Sequence, residues 1–341
     1  MKKKLLIILL GFVLVYLIIF LLPRPQSVLG ENVLRKQDGE KPYLIAHGGG
    51  NHEFPDNTLE AFYHAYSVDS NVIMETDVNL TSDGVILLSH DTTLDRKTTL
   101  VNALIYETSY QELIDNEIDF AYHNDVVPSS NGFNESGILK PYLNYLGESV
   151  TPLDVTYPDG VSARHETKFL ATTLRELIIS FPNNKINVEV KQPGEIGLLA
   201  LEKIIELFDE IDALYQTYDR IVLVSFHREI FLEMLRLKST THPLLMVAPE
   251  QQGVIKFFAL YALGLDFFYN DPIHVLQLPT SQFGINLSSK NFIRRAHRHN
   301  IAVHYWTIDD EDEMIRLFHA GADGIMTNRP SLFKEVMDSL S

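Results

Sequence analysis

The sequence predicts an α/β fold, a distorted (β/α)8 TIM barrel with an irregular insertion, preceded by one N-terminal transmembrane helix. Short β-type runs alternate with helical patterns through most of the 341 residues, as in a parallel barrel. A stretch rich in Asn, Asp, Tyr, Pro and Gly interrupts this alternation over residues 106–165. An unbroken apolar run at the N-terminus is long enough to cross a bilayer.

The apolar run predicts where the chain resides. Three lysines at positions 2–4 precede residues 5–22, which as a helix would be about 27 Å long at ~1.5 Å per residue. The ~30 Å hydrocarbon core of a bilayer matches this length, and residues 28–30 are a poor cleavage site. We therefore expect residues 1–25 to form a single-pass anchor in the cell membrane, with the following residues on the extracytoplasmic side. A cleaved signal peptide is the alternative.

The rest of the chain divides into a linker and a barrel. Residues 26–41 are polar with scattered Pro and Gly, and we interpret them as a linker. We expect the barrel over residues 42–338, with the insertion at 106–165 as a lid or mobile insert. The net charge of −17 leaves no broad basic surface, so we expect no nucleic-acid partner. The absence of cysteine excludes a thiolate nucleophile and thiolate metal ligands.

Nine runs have strand character, one more than the eight strands of a closed barrel. Thr-Ser-Asp-Gly at 81–84 joins the second and third runs, which predicts a hairpin, so this hairpin or one short run must be irregular. Helical spacing marks Thr58–Val68, Leu198–Phe208 and Glu311–Ala320. An open doubly wound sheet is the alternative, although no G-x-G-x-x-G opens the first helix. The strand runs are Tyr43–Ala46, Val72–Leu80, Val85–Ser89, Ile186–Val190, Ile221–Ser225, Leu244–Ala248, Phe267–Tyr269, Val303–Thr307 and Gly324–Thr327.

Two carboxylates in the second run give the strongest local signal for chemistry. Glu75 and Asp77 are two residues apart, so they project from the same side of a strand. They repel each other unless a positive charge lies between them, and a hard cation such as Mg²⁺ or Ca²⁺ prefers oxygen ligands. If the hairpin turn centres near Asp83, position 90 pairs across from about position 76, which places His90 beside both carboxylates. An exposed polar face of an edge strand is the alternative.

Three other segments carry candidate site residues. His47 ends the first run and precedes three glycines, whose backbone can approach a ligand closely. Glu189 and Lys191 repeat the two-residue spacing, so they offer a third carboxylate to a metal and a cation to a phosphate oxygen. Trp306 is the only tryptophan and would be a core residue or an apolar wall for a substrate. A flexible turn and a surface ion pair are the simpler explanations of the first two segments.

Together these segments resemble the glycerophosphodiester phosphodiesterase family, a TIM-barrel family of phospholipase-C-like phosphodiesterases. The resemblance covers roughly residues 43–335, apart from the insertion, and the segment at 322–330 resembles the closing strand of the family. Each motif is weak alone, but six in the same order are specific. The motifs are His47-Gly48-Gly49, Pro55-Asp56-Asn57-Thr58, Glu75-Thr76-Asp77, Leu88-Ser89-His90-Asp91, Glu189-Val190-Lys191 and Trp306-Thr307.

The resemblance implies metal-dependent hydrolysis of a glycerophosphodiester to glycerol phosphate and an alcohol, with one divalent cation, Mg²⁺ or Ca²⁺. It also implies that the adjacent hydroxyl of the glycerol can be the nucleophile. We expect His47 to act as the base and His90 as the acid. The roles assigned by position are metal binding for Glu75, Asp77 and Glu189, acid–base catalysis for His47 and His90, and substrate contact for Lys191 and Trp306.

The sequence departs from the family pattern at two positions. Gly48 stands where the family usually has Arg, so charge stabilisation of the phosphate would come from Arg96, Arg164 or another group, and Asp56 replaces the usual Glu. The Gly48 departure motivates one alternative, a catalytically inactive barrel that binds glycerophosphate polymers. The anchor and the insertion, which bears Tyr and Phe, motivate another, a lysophospholipase D-like activity on membrane lysophospholipids.

Overall fold

Nine β-strands form one sheet, and eight of them run parallel around a ring. The structure is a computed structural model that describes residues 2–37, 39–123, 127–128, 134–135 and 139–340. The ninth strand, β3, turns back antiparallel on β2 as the arm of a hairpin. The strands are β1 (Tyr43–His47), β2 (Ile73–Leu80), β3 (Ile86–Leu88), β4 (Ile186–Val190), β5 (Ile221–Val224), β6 (Met246–Val247), β7 (Val275–Leu278), β8 (Ala302–Tyr305) and β9 (Gly324–Thr327).

Helices cover the outside of this ring, because the apolar outer faces of the parallel strands must be buried. The helices are α1 (Lys2–Leu21), α2 (Leu59–Val68), α3 (Tyr110–Asp115), α4 (Leu174–Ser180), α5 (Gly194–Tyr215), α6 (Thr217–Arg220), α7 (Arg228–Thr240), α8 (Gln251–Ala262), α9 (Lys290–Arg298), α10 (Glu311–Ala320) and α11 (Pro330–Ser339). Single 3-10 turns are Ile105–Glu107, Pro152–Asp154 and Asp266–Phe268. Pairs of two-residue strands join Tyr122–His123 to Lys140–Pro141, Val127–Pro128 to Asn134–Glu135, and Ser281–Gln282 to Ile285–Asn286.

The ring is nearly closed, and its seam lies between β6 and β7, which form no ladder with each other. One backbone bond bridges the seam, from the His274 N–H to the Val247 carbonyl at 3.0 Å. The Val247 N–H in turn donates to Nδ1 of the His274 imidazole at 3.2 Å. Burial lowers the pKa of His274 to about 3, so its ring stays neutral and can accept this bond. The predicted distorted barrel is therefore confirmed, and β6, only two residues long, lies at the seam.

The hairpin between β2 and β3 has the predicted register. Val78 pairs with Leu88 and Leu80 with Ile86, and beyond the ladder the Ser89 N–H donates to the Asp77 carbonyl at 2.9 Å, as the predicted register requires. The extra run expected from the sequence is thus the hairpin arm β3.

The strand predicted at Phe267–Tyr269 is wrong, because this segment is a 3-10 turn whose aromatic rings pack outside the sheet. Tyr269 meets Phe257 of α8 edge-on at 4.9 Å, and the missing barrel strand is β7, which follows it.

No further strand–helix unit occurs between β3 and α4 among the described residues. The stretch contains α3, two 3-10 turns and short paired strands. The insertion predicted at 106–165 falls here, and its residues 124–126, 129–133 and 136–138 lie outside the described residues. The next barrel strand, β4, pairs with β2, so the whole stretch is accommodated beside the hairpin without breaking the ring.

Residues 25–36, which we call the plug, lie across the N-terminal end of the barrel. Leu34 is fully buried and packs with inward-facing side chains that include Val275 and Ala302. The Asn32 side-chain amide donates to the carbonyls of His274 (2.7 Å) and Asn300 (2.8 Å). The segment expected to be a linker therefore covers the apolar interior at this end of the ring.

The helix before the plug, α1, is exposed and apolar. Among the described residues it is the one helix long and apolar enough to cross a membrane, as either a signal anchor or a membrane span. Arg24 fastens its end to the barrel, because Nε lies 2.6 Å from Oδ2 of Asp266 and both side chains are buried. The same guanidinium donates to carbonyls at the end of α1, those of Ile19, Phe20 and Leu22. It thus satisfies acceptors that a helix terminus leaves open.

Replacing Leu34 by alanine should lower the free energy of unfolding by about 2–5 kcal/mol, the usual cost of such a change at a buried site. Leu29 lies in the same segment but is 90% exposed, so Leu29→Ala is a matched control with little expected effect. Urea unfolding of the full chain in detergent, followed by the fluorescence of its single tryptophan, measures both variants. Equal stability of the two variants would contradict the packing of the plug.

Candidate active site

The predicted site residues meet at the C-terminal end of the barrel strands, opposite the plug. Strand register explains the meeting, because His47 on β1 is level with Glu75 on β2, and Asp77 is level with Glu189 on β4. A cavity of about 220 Å³ opens between them. Its lining residues are His47, Glu75, Asp77, His90, Asn187, Glu189, Lys191, Phe226, Gln277, Trp306, Thr307 and Met326. All seven predicted site residues therefore line one cavity.

Three carboxylates form the acidic centre of this cavity. Oxygens of Glu75, Asp77 and Glu189 all lie within 4.8 Å of one another. Glu75 and Asp77 are each only 2% exposed. Burial and the neighbouring Asp77 raise the pKa of Glu75 to about 7, although His47 and the Gly48 N–H oppose this shift. Such crowding of buried acids is costly unless a positive charge neutralises it.

The chain supplies only part of that positive charge. Lys191 Nζ lies 3.1 Å from Oδ1 of Asp77 and 3.0 Å from Oε1 of Glu189. Burial lowers the pKa of Lys191, but these two carboxylates raise it well above its usual value, so the amine stays charged. Oδ1 of Asp77 is buried, and among the described residues the Lys191 amine is its close cationic neighbour. Three clustered carboxylates with one nearby amine still carry excess negative charge, and they fit a divalent cation with oxygen ligands.

Asn57 holds Asp77 in place. Its side-chain oxygen accepts from the Asp77 N–H at 3.1 Å and from the Thr76 hydroxyl at 2.8 Å. Its amide donates to Oδ2 of Asp77 at 3.2 Å, which leaves Oδ1 for the cavity. Asn57 has a φ of +58°, a conformation that Asn tolerates better than most residues. Asn57 belongs to the motif at 55–58 and was expected at most to cap the following helix, which Thr58 caps instead, and no role in the site was predicted for it.

A chain of hydrogen bonds orients His47. Nδ1 of His47 lies 2.7 Å from Oδ1 of Asn328, and the Asn328 amide donates to Oδ2 of Asp309 at 2.8 Å. The amide oxygen therefore faces the ring, so Nδ1 carries the hydrogen and Nε2 of the neutral ring is an acceptor. Burial lowers the pKa of His47, but Glu75 and Asn328 raise it, and the net shift is upward. Asn328 and Asp309 had no predicted role, because the barrel must close to bring them near His47.

His90 has a different environment. Its side chain is 47% exposed, and Nδ1 lies 2.8 Å from Oδ1 of Asp91. This bond is the main reason that the pKa of His90 is raised, while burial opposes it. Burial raises the pKa of Asp91, but His90 and Arg96 lower it to about 2, so the carboxylate stays charged. Nε2–H of a protonated His90 is consequently free to donate.

Position 48 requires glycine because of its backbone conformation and its close neighbours. It has a φ of +56°, and a Cβ there would lie 2.8 Å from Cβ of Asp56. Its N–H donates to Oε2 of Glu75 at 2.8 Å. Lys97 Nζ and Arg96 Nη2 hold the Asp56 carboxylate at 2.6 and 3.2 Å, respectively. The position where the family usually has Arg thus packs tightly against Asp56, whose carboxylate binds two cations.

The two arginines suggested as replacements lie in different places. Arg96 borders the site, because it bridges Asp56 and Asp91, the partner of His90. Arg164 is held elsewhere by Glu60 at 3.0 Å and by backbone carbonyls near residues 170–171. Arg164 is therefore excluded as a phosphate contact, and Lys191 is the cation that lines the cavity itself.

Two aromatic rings form an apolar wall of the cavity. Trp306 follows β8 and is half-buried, because it packs against the buried Ile45 and Met326 and also lines the cavity. Phe226 follows β5, is 54% exposed, and meets Trp306 edge-on with ring centroids 6.2 Å apart. Phe226 had no predicted role, although an apolar residue directly after a barrel strand was an available signal. This wall can contact an organic substituent on a polar substrate.

Known proteins match the part of the chain that contains these site residues. Residues 47–332, most of the chain, match the family described as the glycerophosphoryl diester phosphodiesterase family. A rat (Rattus norvegicus) protein named lysophospholipase D GDPD1 is 24% identical over 318 residues, which cover 87% of this chain and 86% of the relative. A Caldanaerobacter subterraneus protein named glycerophosphodiester phosphodiesterase is 24% identical over 292 residues, which cover 85% of this chain and 95% of the relative.

Solved structures share the barrel. A Silicibacter pomeroyi putative glycerophosphoryl diester phosphodiesterase has a TM-score of 0.61 at 17% identity and covers 90% of this chain and 96% of its own. An Oleispira antarctica phosphodiesterase, solved in complex with the product sn-glycerol-3-phosphate, has a TM-score of 0.57 at 19% identity and covers 87% and 97%. These likenesses confirm the predicted TIM barrel, and the match over residues 47–332 confirms the predicted resemblance. The chain belongs to the glycerophosphoryl diester phosphodiesterase family.

Proposed function

We propose that this chain hydrolyses glycerophosphodiesters to glycerol phosphate and an alcohol. The observation that carries the proposal is the presence of three clustered carboxylates and two oriented histidines in one cavity. One divalent cation, Mg²⁺ or Ca²⁺, would be held by Glu75, Asp77 and Glu189. When bound, it would supply positive charge beside the phosphate oxygens, which otherwise repel a nucleophile.

The two histidines take opposite parts in proton transfer. Nε2 of His47 accepts the proton of the attacking hydroxyl, because Nδ1 is engaged by Asn328. Nε2–H of His90 donates its proton to the leaving alkoxide, because Asp91 favours the charged ring. The nucleophile is the glycerol hydroxyl adjacent to the phosphoester, so the first product is a cyclic phosphate that water then opens. No nucleophilic side chain is needed on this route.

Lys191 and the aromatic wall bind the substrate. The charged amine of Lys191 donates to a phosphate oxygen and so balances part of its negative charge. Trp306 and Phe226 contact the alcohol moiety of the diester. Arg96 supports the site indirectly, because it fixes Asp91, which in turn orients His90.

Residues 1–25 would anchor the chain in the cell membrane, with the barrel of residues 42–338 on the extracytoplasmic side and residues 26–41 joining the two. The orientation follows from the lysines at positions 2–4, which favour the cytoplasmic side. The plug bonds to residues that precede β7 and β8, whereas the cavity lies at the other ends of the strands. The cavity therefore faces away from the anchored end of the barrel.

A second candidate is a lysophospholipase D activity, which the names of several relatives favour. Its substrates carry an acyl chain and reside in the membrane, whereas the cavity opens at the end of the barrel remote from α1. This placement favours diesters that arrive from water. The third interpretation, an inactive binder of glycerophosphate polymers, is disfavoured by the full set of proton-transfer groups at the cavity.

Metal removal should abolish turnover. With glycerophosphocholine as substrate, we expect a chelator to stop release of glycerol phosphate, and added Mg²⁺ or Ca²⁺ to restore it. Asp77→Asn should lower activity by more than about 10²-fold, because it removes charge at the metal and beside Lys191. Glu195→Gln, which changes an exposed acid on α5, is the matched control and should retain activity. Full activity of the parent protein in chelator would sink the proposal.

Substrates with different leaving groups should distinguish the catalytic roles of the two histidines. His47→Ala and His90→Ala should each reduce hydrolysis of glycerophosphocholine by about 10²–10⁴-fold, the usual contribution of acid–base catalysis. In a p-nitrophenyl diester of glycerol phosphate the leaving group is p-nitrophenolate, which departs without being protonated. His90→Ala should therefore recover most of its rate on that substrate, and His47→Ala should not. Rescue of His47→Ala instead would reverse the assigned roles. His319→Ala, an exposed histidine on α10, is the control.

Substrate selectivity should reflect the attacking hydroxyl and the position of the cavity. An analogue of glycerophosphocholine that lacks the adjacent hydroxyl should react more than about 10²-fold more slowly, because it loses the intramolecular nucleophile. Lysophosphatidylcholine in vesicles should be hydrolysed more slowly than glycerophosphocholine. Unimpaired turnover of the analogue would exclude the cyclic route, and faster turnover of the lysolipid would favour the second candidate. Chromatography of the phosphorylated products measures all three rates.

A further inference from the structure

A cationic groove lies beside α1, at the opposite end of the barrel from the candidate active site. It has a volume of about 930 Å³ and runs between the second half of α1 and helices α8 and α9. Four arginines line it together with two aromatic residues of α1, and we call it the arginine groove. These residues are Arg35, Arg294, Arg295, Arg298, Tyr16 and Phe20.

The charge of this groove contrasts with that of the chain. The protein carries 45 acidic and 28 basic residues, giving a net charge of −17. Helix α9, with the sequence KNFIRRAHR, has three arginines, one lysine, one histidine and no acidic residue. Such a local excess of positive charge in an acidic protein indicates a negatively charged partner.

The acid that lies inside this cluster does not neutralise it. Asp266 pairs with Arg24 at 2.6 Å, lies 3.5 Å from Nη1 of Arg295, and is 3.4 Å from Nε2 of His299. One carboxylate thus lies between two guanidinium groups and an imidazole. Burial lowers the pKa of Arg298, and repulsion by Arg24 and Arg295 lowers it further, as expected where positive charge is in excess.

The guanidinium groups of the groove are only partly paired among the described residues. Nε of Arg35 is buried and makes no hydrogen bond with them, and Nη1 of Arg295 lies 3.5 Å from Oδ1 of Asp266. Arg294 bonds to the nearby Asn291 side chain, Arg298 donates to the Leu22 carbonyl at 3.2 Å, and both arginines are exposed. Their remaining donors face solvent, so an anion with several oxygens would bind them.

The position of the groove along α1 points to a particular source of that anion. The Tyr16 hydroxyl donates to the Leu263 carbonyl at 3.0 Å, and the Arg295 guanidinium lies 4.4 Å from the centre of the Phe20 ring. Phe20 and Tyr16 are two and six residues before the end of the apolar run, or about 3 and 9 Å along a helix. The groove therefore begins at the extracytoplasmic end of that run, next to the lipid phosphates, and continues along the outer third of the helix, which acyl chains would contact. Leu263 and Phe268, which are 61% and 55% exposed, border the same region.

We propose that the arginine groove binds the phosphate of an anionic phospholipid in the extracytoplasmic leaflet, with its acyl chains alongside α1. Arginine suits this role because its planar fork donates two parallel bonds to phosphate oxygens. The proposal rests on residues 1–25 being a retained membrane anchor, and it is independent of the proposed hydrolysis. The bound lipid would fix the barrel with its N-terminal end against the membrane.

Lipid binding to the full chain tests this proposal. The protein in detergent is mixed with phosphatidylglycerol or phosphatidylcholine, and native mass spectrometry measures the lipid retained. We expect preferential retention of phosphatidylglycerol, and a loss of about thirtyfold in its affinity in Arg294→Gln/Arg298→Gln, the effect of two basic residues at an anionic surface. Arg175→Gln/Arg236→Gln removes the same charge from exposed positions on α4 and α7 and should bind normally.

Additional measurements distinguish a lipid phosphate from other anions, and they test the membrane anchor and the active site separately. Inorganic phosphate or an oligonucleotide that displaces phosphatidylglycerol would overturn the assignment to lipid, as would equal retention of the two lipids or unchanged binding by Arg294→Gln/Arg298→Gln. Arg295→Lys keeps the charge but loses the planar fork, and should bind the lipid more weakly while retaining the parent melting temperature. Loss of residues 1–22 from the mature chain would also overturn the proposal. Hydrolysis of glycerophosphocholine by each variant reports separately on the active site and should not change.

Discussion

Mutual repulsion among buried acids is the constraint on which the candidate active site depends. The register of β1, β2 and β4 brings Glu75, Asp77 and Glu189 together, and the barrel must then offset their charge. Lys191 supplies one positive charge, and the Gly48 N–H and the Asn57 amide supply hydrogen bonds. A site that concentrates negative charge in this way is unfavourable when empty of cations and favourable when filled. The cost of folding it is therefore linked to the affinity for a metal.

Local periodicity predicted the parts of this site that local geometry determines. Glu75 and Asp77 share a strand face, and hairpin register places position 90 beside them, so all three could be inferred without a tertiary structure. His47 and Glu189 joined them through the family resemblance. Asn328 and Asp309 could not be found in this way, since they meet His47 only after β9 closes on β1. Hydrogen-bond partners from distant strands leave no periodic signal in the sequence.

The misassigned strand and the packing of the plug have a similar origin. Phe267–Tyr269 resembles a strand because it is aromatic, but its rings fill the space beneath α8, and a short strand follows it instead. The plug resembles a linker because it is polar, yet Leu34 and the Asn32 amide suffice to hold it against the barrel. In both cases tertiary contacts outweighed local composition. Gly48 is the reverse case, since a departure from the family pattern is explained by one close neighbour, Asp56.

The plug also constrains the order in which this protein can be assembled. Asn32 bonds to the carbonyl of His274, a residue 242 positions later in the chain. During synthesis the plug therefore emerges from the ribosome long before the strands that it covers. The barrel can close against the plug only after β7 and β8 have been made, so these contacts are non-local and slow to form. Closure of this end of the barrel is therefore a late step of folding, in which β7 and β8 meet a segment that was synthesised before any of the barrel strands.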